Sequence, residues 1–139
     1  MVVGVSKMSP THELKANLRN PVRAEPVEIW KARSFIEDHS GEELSLRTVA
    51  KAVNISANHL SEKFKQVTGV NFIDYVARTR FEKACDRLLN SDLRISEIAF
   101  AVGFQSLSQF NRVFKKLSAK SPMEYRAANA KHRTALLNR

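Results

Sequence analysis

The apolar positions along this chain recur at helical spacing almost everywhere after Pro26. Between Val27 and His39 they fall at Ile29, Ala32 and Ile36, with Trp30 and Phe35 beside them, which predicts a buried helix. Ser45 can cap a second helix through LRTVAKAV, Leu46 to Val53. Ser56 can cap a third over ANHLSEKFKQVT, closed by Gly69 as a left-handed C-cap. Asn71, with Asp74 three residues on, opens a long fourth helix that runs to about Asn90. A fifth, from Ile95 to Val102, stops at Gly103, and Ser106 starts a sixth. Ser121-Pro122-Met123-Glu124 combines an N-cap, a proline at the first helical position and a capping-box acid, and so starts a seventh. No stretch reads as a convincing strand, so the expected fold is all-α. Residues 1–25 lack clear periodicity and read as a linker or tail, with one short helix expected in THELKANLR.

Two of these segments resemble each other. Val49, Ala50, Ala52 and Val53 match Ile98, Ala99, Ala101 and Val102 at an offset of 49. After one extra residue in the turn, Ser56, Leu60, Phe64 and Tyr75 match Ser106, Phe110, Phe114 and Tyr125 at an offset of 50. Each unit is a short helix, a tight turn and a second helix, the helix-turn-helix plan. Alanines let the paired helices cross closely. Gly103 in one turn and Asn54 in the other tolerate left-handed backbone. Two copies with matched small, apolar and capping positions make a far stronger signal than one.

Composition narrows the function. The chain has 139 residues, 43% of them hydrophobic, enough for a real core without disulfides or metal. The formal net charge of +9 favours acidic partners, nucleic acid first. The four glycines form no GxGxxG or GxxxxGK[ST] pattern, so a phosphate-cradling nucleotide site has no support. No apolar run reaches membrane-spanning length, the N-terminus has no signal-peptide core, and Cys85 is the single cysteine. A cytoplasmic setting without cofactor is the expectation.

The run IxEIAxxVGFxSxSxFxRxFKKxxxxSPxxYR, from Ile95 to Arg126, resembles the signature of AraC/XylS-type transcription regulators. SxxxLxxxFKxxxG, Ser56 to Gly69, resembles the more variable first copy of the same family. The resemblance covers roughly Val27 to Arg126. It implies a seven-helix DNA-binding domain over residues 26–139, with helix-turn-helix modules at about 45–69 and 95–118 joined by the helix at about 71–90. It also implies binding to double-stranded promoter DNA and regulation of transcription, with RNA polymerase held open as a second partner. Many members attach such a domain to a ligand-sensing or dimerising one, for which 25 residues are too few. The chain therefore reads either as a stand-alone member or as the C-terminal part of a longer regulator, the second favoured because the leader reads like a linker. Three positions depart from the family pattern. Ala119 stands where glycine is usual; alanine at positive φ would cost roughly 1 kcal/mol, so a differently built helix end is expected. Arg94 stands where a small capping residue is common, and Glu62 is acidic where a basic or neutral residue is frequent.

Helical projection at 100° per residue then assigns faces. With Phe110, Phe114 and Leu117 inward, Ser108, Arg112 and Lys115 point outward, with Gln109 and Asn111 on the flanks and Leu107 at the helix start. With Leu60, Phe64 and Val67 inward, Asn58, Glu62 and Lys65 point outward beside Ser61. Arginine can pair bidentately with guanine, asparagine or glutamine with adenine, and glutamate can accept from cytosine. Base contact is thus expected of Asn58, Ser61, Glu62, Leu107, Ser108, Gln109, Asn111 and Arg112. Lys63, Lys65, Lys115 and Lys116 suit phosphates, which position a protein without reading sequence. The long helix would span about 30 Å, near the roughly 34 Å between successive major grooves on one side of the duplex.

Other readings compete. Phe104, Phe110, Phe114 and Tyr125 are expected in the core rather than stacked on bases. Glu62 reads equally well as a cytosine acceptor or as a favourable charge near its helix N-terminus. His12, His39, His59 and His132 show no metal-ligand spacing. Cys85, among Ala84, Leu88 and Leu89, reads as structural, which argues against an alkyl-transfer enzyme. A non-specific architectural DNA binder is the main alternative, but the outward mixture of amide, hydroxyl and guanidinium groups exceeds what charge neutralisation needs.

Overall fold

In a computed structural model the described residues are 25–137, with side chains described as far as Ala130. Seven α-helices and no strand occur among them. They are α1 Val27–His39, α2 Leu46–Ala52, α3 Ala57–Thr68, α4 Phe72–Asn90, α5 Ile95–Ala101, α6 Leu107–Ser118 and α7 Pro122–Leu137. The short helix expected in THELKANLR lies outside the described residues. Two compact units divide the chain between Thr79 and Arg80, inside α4.

The first unit closes around one core. Ile29, Ala32 and Ile36 of α1 meet Val49 and Ala50 of α2, Leu60 and Phe64 of α3, and Phe72, Tyr75 and Val76 at the start of α4. Phe64 anchors it edge-on to Tyr75, ring centroids 5.0 Å apart, an arrangement that adds to simple area burial. A buried ion pair lies beside the apolar stripe. Glu25, placed by sequence in the linker, is buried and its carboxylate accepts from Arg33 at 2.9 Å.

The second unit repeats the plan. Phe81, Ala84 and Leu88 of α4 pack with Ile98, Ala99 and Val102, Phe104, Phe110 and Phe114. Phe114 lies 4.8 Å from Phe81, 5.6 Å from Phe110 and 5.4 Å from Tyr125, ring to ring. The Arg126 guanidinium donates to the Leu88 and Ser91 carbonyls at 3.0 and 3.1 Å. It thereby satisfies acceptors at the end of α4 that the helix itself leaves open.

The repeat extends to individual hydrogen bonds. In the first turn the Ile55 N–H donates to the Ala50 carbonyl at 3.0 Å, and in the second the Phe104 N–H donates to Ala99 at 2.9 Å. Asn54 (φ 63°) and Gly103 (φ 112°) take the left-handed step. Thr68 and Ser118 hydroxyls each donate back to the carbonyl four residues earlier, Phe64 and Phe114. Asn71 and Ser121 each cap the following helix through the N–H of Asp74 and Glu124.

Ala119 corrects one expectation. The end of α6 is built like the end of α3: Ala119 adopts φ 65° and its N–H bonds the Lys115 carbonyl at 2.8 Å, as Gly69 at φ 78° bonds Lys65 at 2.9 Å. The closing pattern of the module outweighs the Cβ penalty. Ala119→Gly relieves that penalty but adds freedom to the unfolded chain. The net expectation is a gain of about 0.5–1 kcal/mol in unfolding free energy, checked by urea titration; a loss would mean that the alanine is unstrained. Arg94 is also explained. It has no acceptor to offer as a cap, and the Glu97 carboxylate accepts the Arg94 N–H at 2.8 Å instead.

Candidate nucleic-acid interface

Each second helix of the two helix-turn-helix units is fixed at its start and in its roll. Ser56 accepts the His59 N–H at 3.1 Å, and Ser106 accepts the Gln109 N–H at 3.0 Å. Both are N-caps in extended conformation. Leu60 and Phe64 on α3, and Phe110 and Phe114 on α6, have no solvent exposure. With two positions one turn apart locked in the core, the opposite face has a single orientation.

On α3 that face exposes Asn58, Ser61, Glu62 and Lys65. On α6 it exposes Ser108, Asn111, Arg112, Lys115 and Lys116, and Leu107, at the helix start, keeps 40% of its surface. These side chains combine donors, acceptors and cations with one apolar group, the repertoire that base edges and phosphates can use.

Two residues stand apart. Gln109 is half-buried and its Oε1 accepts the Gln105 N–H at 3.0 Å. Its carbonyl therefore braces the turn, and its amide NH₂ is the group left to donate. Lys63 is half-buried on the flank of α3 that faces α1. There Glu28 lies 3.6 Å from His59 Nε2. The Glu28 carboxyl is held below the usual range chiefly by its own backbone N–H, with His59 and Lys63 adding to the effect. Helical projection within α3 could not show this, because the partner comes from another helix.

Sequence reading also missed a basic concavity at the first turn. Arg47, Ala50, Lys51, Asn54, Ile55, Ser56 and Ala57 line a cavity of about 400 Å³. Arg47 and Lys51 are four apart on α2, one face of one helix, and that spacing was the available signal.

Cys85 is half-buried against the second core. Burial pushes its thiol up to about 11, and burial likewise pushes the neighbouring Tyr125 hydroxyl up to about 12. At neutral pH the group is a thiol, not the thiolate that nucleophilic chemistry needs. No helix among the described residues is long and apolar enough to cross a membrane.

Residues 49–128 match the model of a helix-turn-helix domain family. YijO, an uncharacterized helix-turn-helix-type transcriptional regulator of Escherichia coli (strain K12), is 37% identical over 94 residues, 68% of this chain and 33% of that protein. The chain thus spans a third or less of the curated regulators it matches first. A transcriptional regulator with an AraC-type DNA-binding domain from Chromobacterium violaceum is 29% identical, with a TM-score of 0.70 over 75% of this chain and 93% of that one. The DNA-binding domain of the global transcriptional factor AdpA, solved with a target DNA, shares the fold at 24% identity, with a TM-score of 0.74 over 77% of this chain and 96% of that one. With two helix-turn-helix units in one all-helical frame, the chain belongs to the AraC family of transcription regulators, whose DNA-binding domain it carries.

Proposed function

We propose that the chain binds promoter DNA sequence-specifically, with α3 and α6 entering successive major grooves and each reading one half of a bipartite site. The carrying observation is the doubled frame: two capped helices, each locked in roll by two fully buried side chains, each turning a mixed hydrogen-bonding face to solvent. The AdpA domain, of like fold, was solved on a target DNA. Non-specific architectural binding needs cations alone and leaves the amide and hydroxyl groups on both faces, and the Glu62 carboxylate on α3, without a purpose.

In this reading Arg112 grips the O6 and N7 of a guanine, and Asn111 and the free NH₂ of Gln109 address adjoining bases. Ser108 and Leu107 lie where the helix start meets the groove. Asn58, Ser61 and Glu62 do the same work on α3. Lys65, Lys115 and Lys116 meet phosphates. Lys63, beside Glu28, lies at the edge of that contact.

Arg112 and Lys116 share one helix and separate the two roles. Once preferred sites have been selected from a random duplex library, Arg112→Ala is expected to cost about 1–3 kcal/mol on the preferred site and to relax selectivity at one base position. Lys116→Ala is expected to weaken all sequences by a similar factor and to lower the salt slope by about one unit. Affinities for the preferred site and its single-base variants, at two salt concentrations, decide the matter. Uniform weakening by Arg112→Ala would make it a phosphate contact and reverse the assigned groove face.

A further inference from the structure

We propose that the concavity at the first turn is a seat for the DNA backbone, in which Arg47 and Lys51 each neutralise one phosphate. The proposal rests on the DNA-binding reading above and adds a site outside both recognition helices. The lining combines two cations, the Asn54 amide, the Ser56 hydroxyl and apolar groups, with no carboxylate. Arg47 and Lys51 are exposed, and neither has an acidic partner among the described residues. Unlike Lys63, whose field is shared with Glu28, these two charges are available to a ligand.

The repeat shows that the fold does not require them. The corresponding positions of the second unit, 49 residues on, are Ser96 and Phe100. Both turns nevertheless keep the same backbone hydrogen bonds. The first unit therefore carries charge at its turn that the shared frame does not explain, whereas the second exposes Phe100 there, at 55%. The position fits the partner. In a helix-turn-helix the first helix crosses the backbone while the second lies in the groove, and α2 with its turn is that first helix here. A phosphodiester, anionic and rich in acceptors, is the chemistry that two exposed cations beside an amide and a hydroxyl would hold.

The test uses the full chain and the variants Arg47→Gln and Lys51→Gln, which keep side-chain length and remove charge. Affinity is measured from 50 to 200 mM salt on the selected site and on random duplex, with thermal unfolding as a folding control. Each variant is expected to flatten the salt slope by about 0.9. The loss of affinity across that range then shrinks about 3.5-fold per variant, equally on both duplexes. The double variant loses about twice the slope. Unchanged slopes in folded variants would overturn the seat. So would reduced stability with an unchanged slope, because Lys51 would then serve only the C-terminal end of α2, where a cation is favourable. If the wild type showed no preferred site while both variants still lost slope on random duplex, sequence-specific reading would fail and the seat would stand.

Discussion

Raising the salt from 50 to 200 mM is expected to lower the affinity of this chain for duplex DNA by about 10³–10⁵-fold, the consequence of releasing counterions from about 6–10 phosphates. The formal charge of +9 makes the attraction long-ranged. What sets the slope, however, is the number of cations that reach the backbone. Lys65, Lys115 and Lys116 are exposed on or beside the outward faces of α3 and α6, and Arg47 and Lys51 flank the first turn. Those five alone account for about 500-fold of that fall, and the rest is expected from further cations among the 23 lysines and arginines of the chain. Fluorescence anisotropy with a labelled duplex at four salt concentrations measures the slope. A nearly flat dependence would mean that duplex DNA is not the partner, whatever the faces of the helices suggest.

Much of the frame was legible in the sequence because its signals are local. The α1 stripe at Ile29, Ala32 and Ile36, the caps Ser45, Ser56, Ser106 and Ser121, and the stop at Gly69 each act within one turn of helix. The repeat was visible as matched alanines and phenylalanines, and the matching hydrogen bonds of the two turns account for why those positions matched. What stayed hidden depends on tertiary neighbours or on competing costs. Arg33 sits next to the apolar stripe and is buried because Glu25 comes back to meet it, a pairing that no helical period encodes. Lys63 lies within the field of Glu28, which comes from another helix. Gln109 looked like a free amide because projection assigns a face but not a bond to the turn. Ala119 was legible as a departure but not in its outcome, since the sequence does not show whether strain or rebuilding is cheaper.

The central claim is that the two outward faces read sequence, and the most direct measurement is the ratio of affinities for a library-selected site and for random duplex of equal length, at about 150 mM salt. Specific recognition predicts a ratio of about 10³ or more, within the range of about 10³–10⁷ typical of such proteins, with each mismatched base pair costing about 1–3 kcal/mol. It also predicts two clusters of sensitive positions about 10 base pairs apart, one for each recognition helix in its own groove. A ratio below about 10, with losses spread evenly along the duplex, would contradict the account: the chain would then hold DNA by charge alone, and the hydrogen-bonding faces of α3 and α6 would be solvated surface.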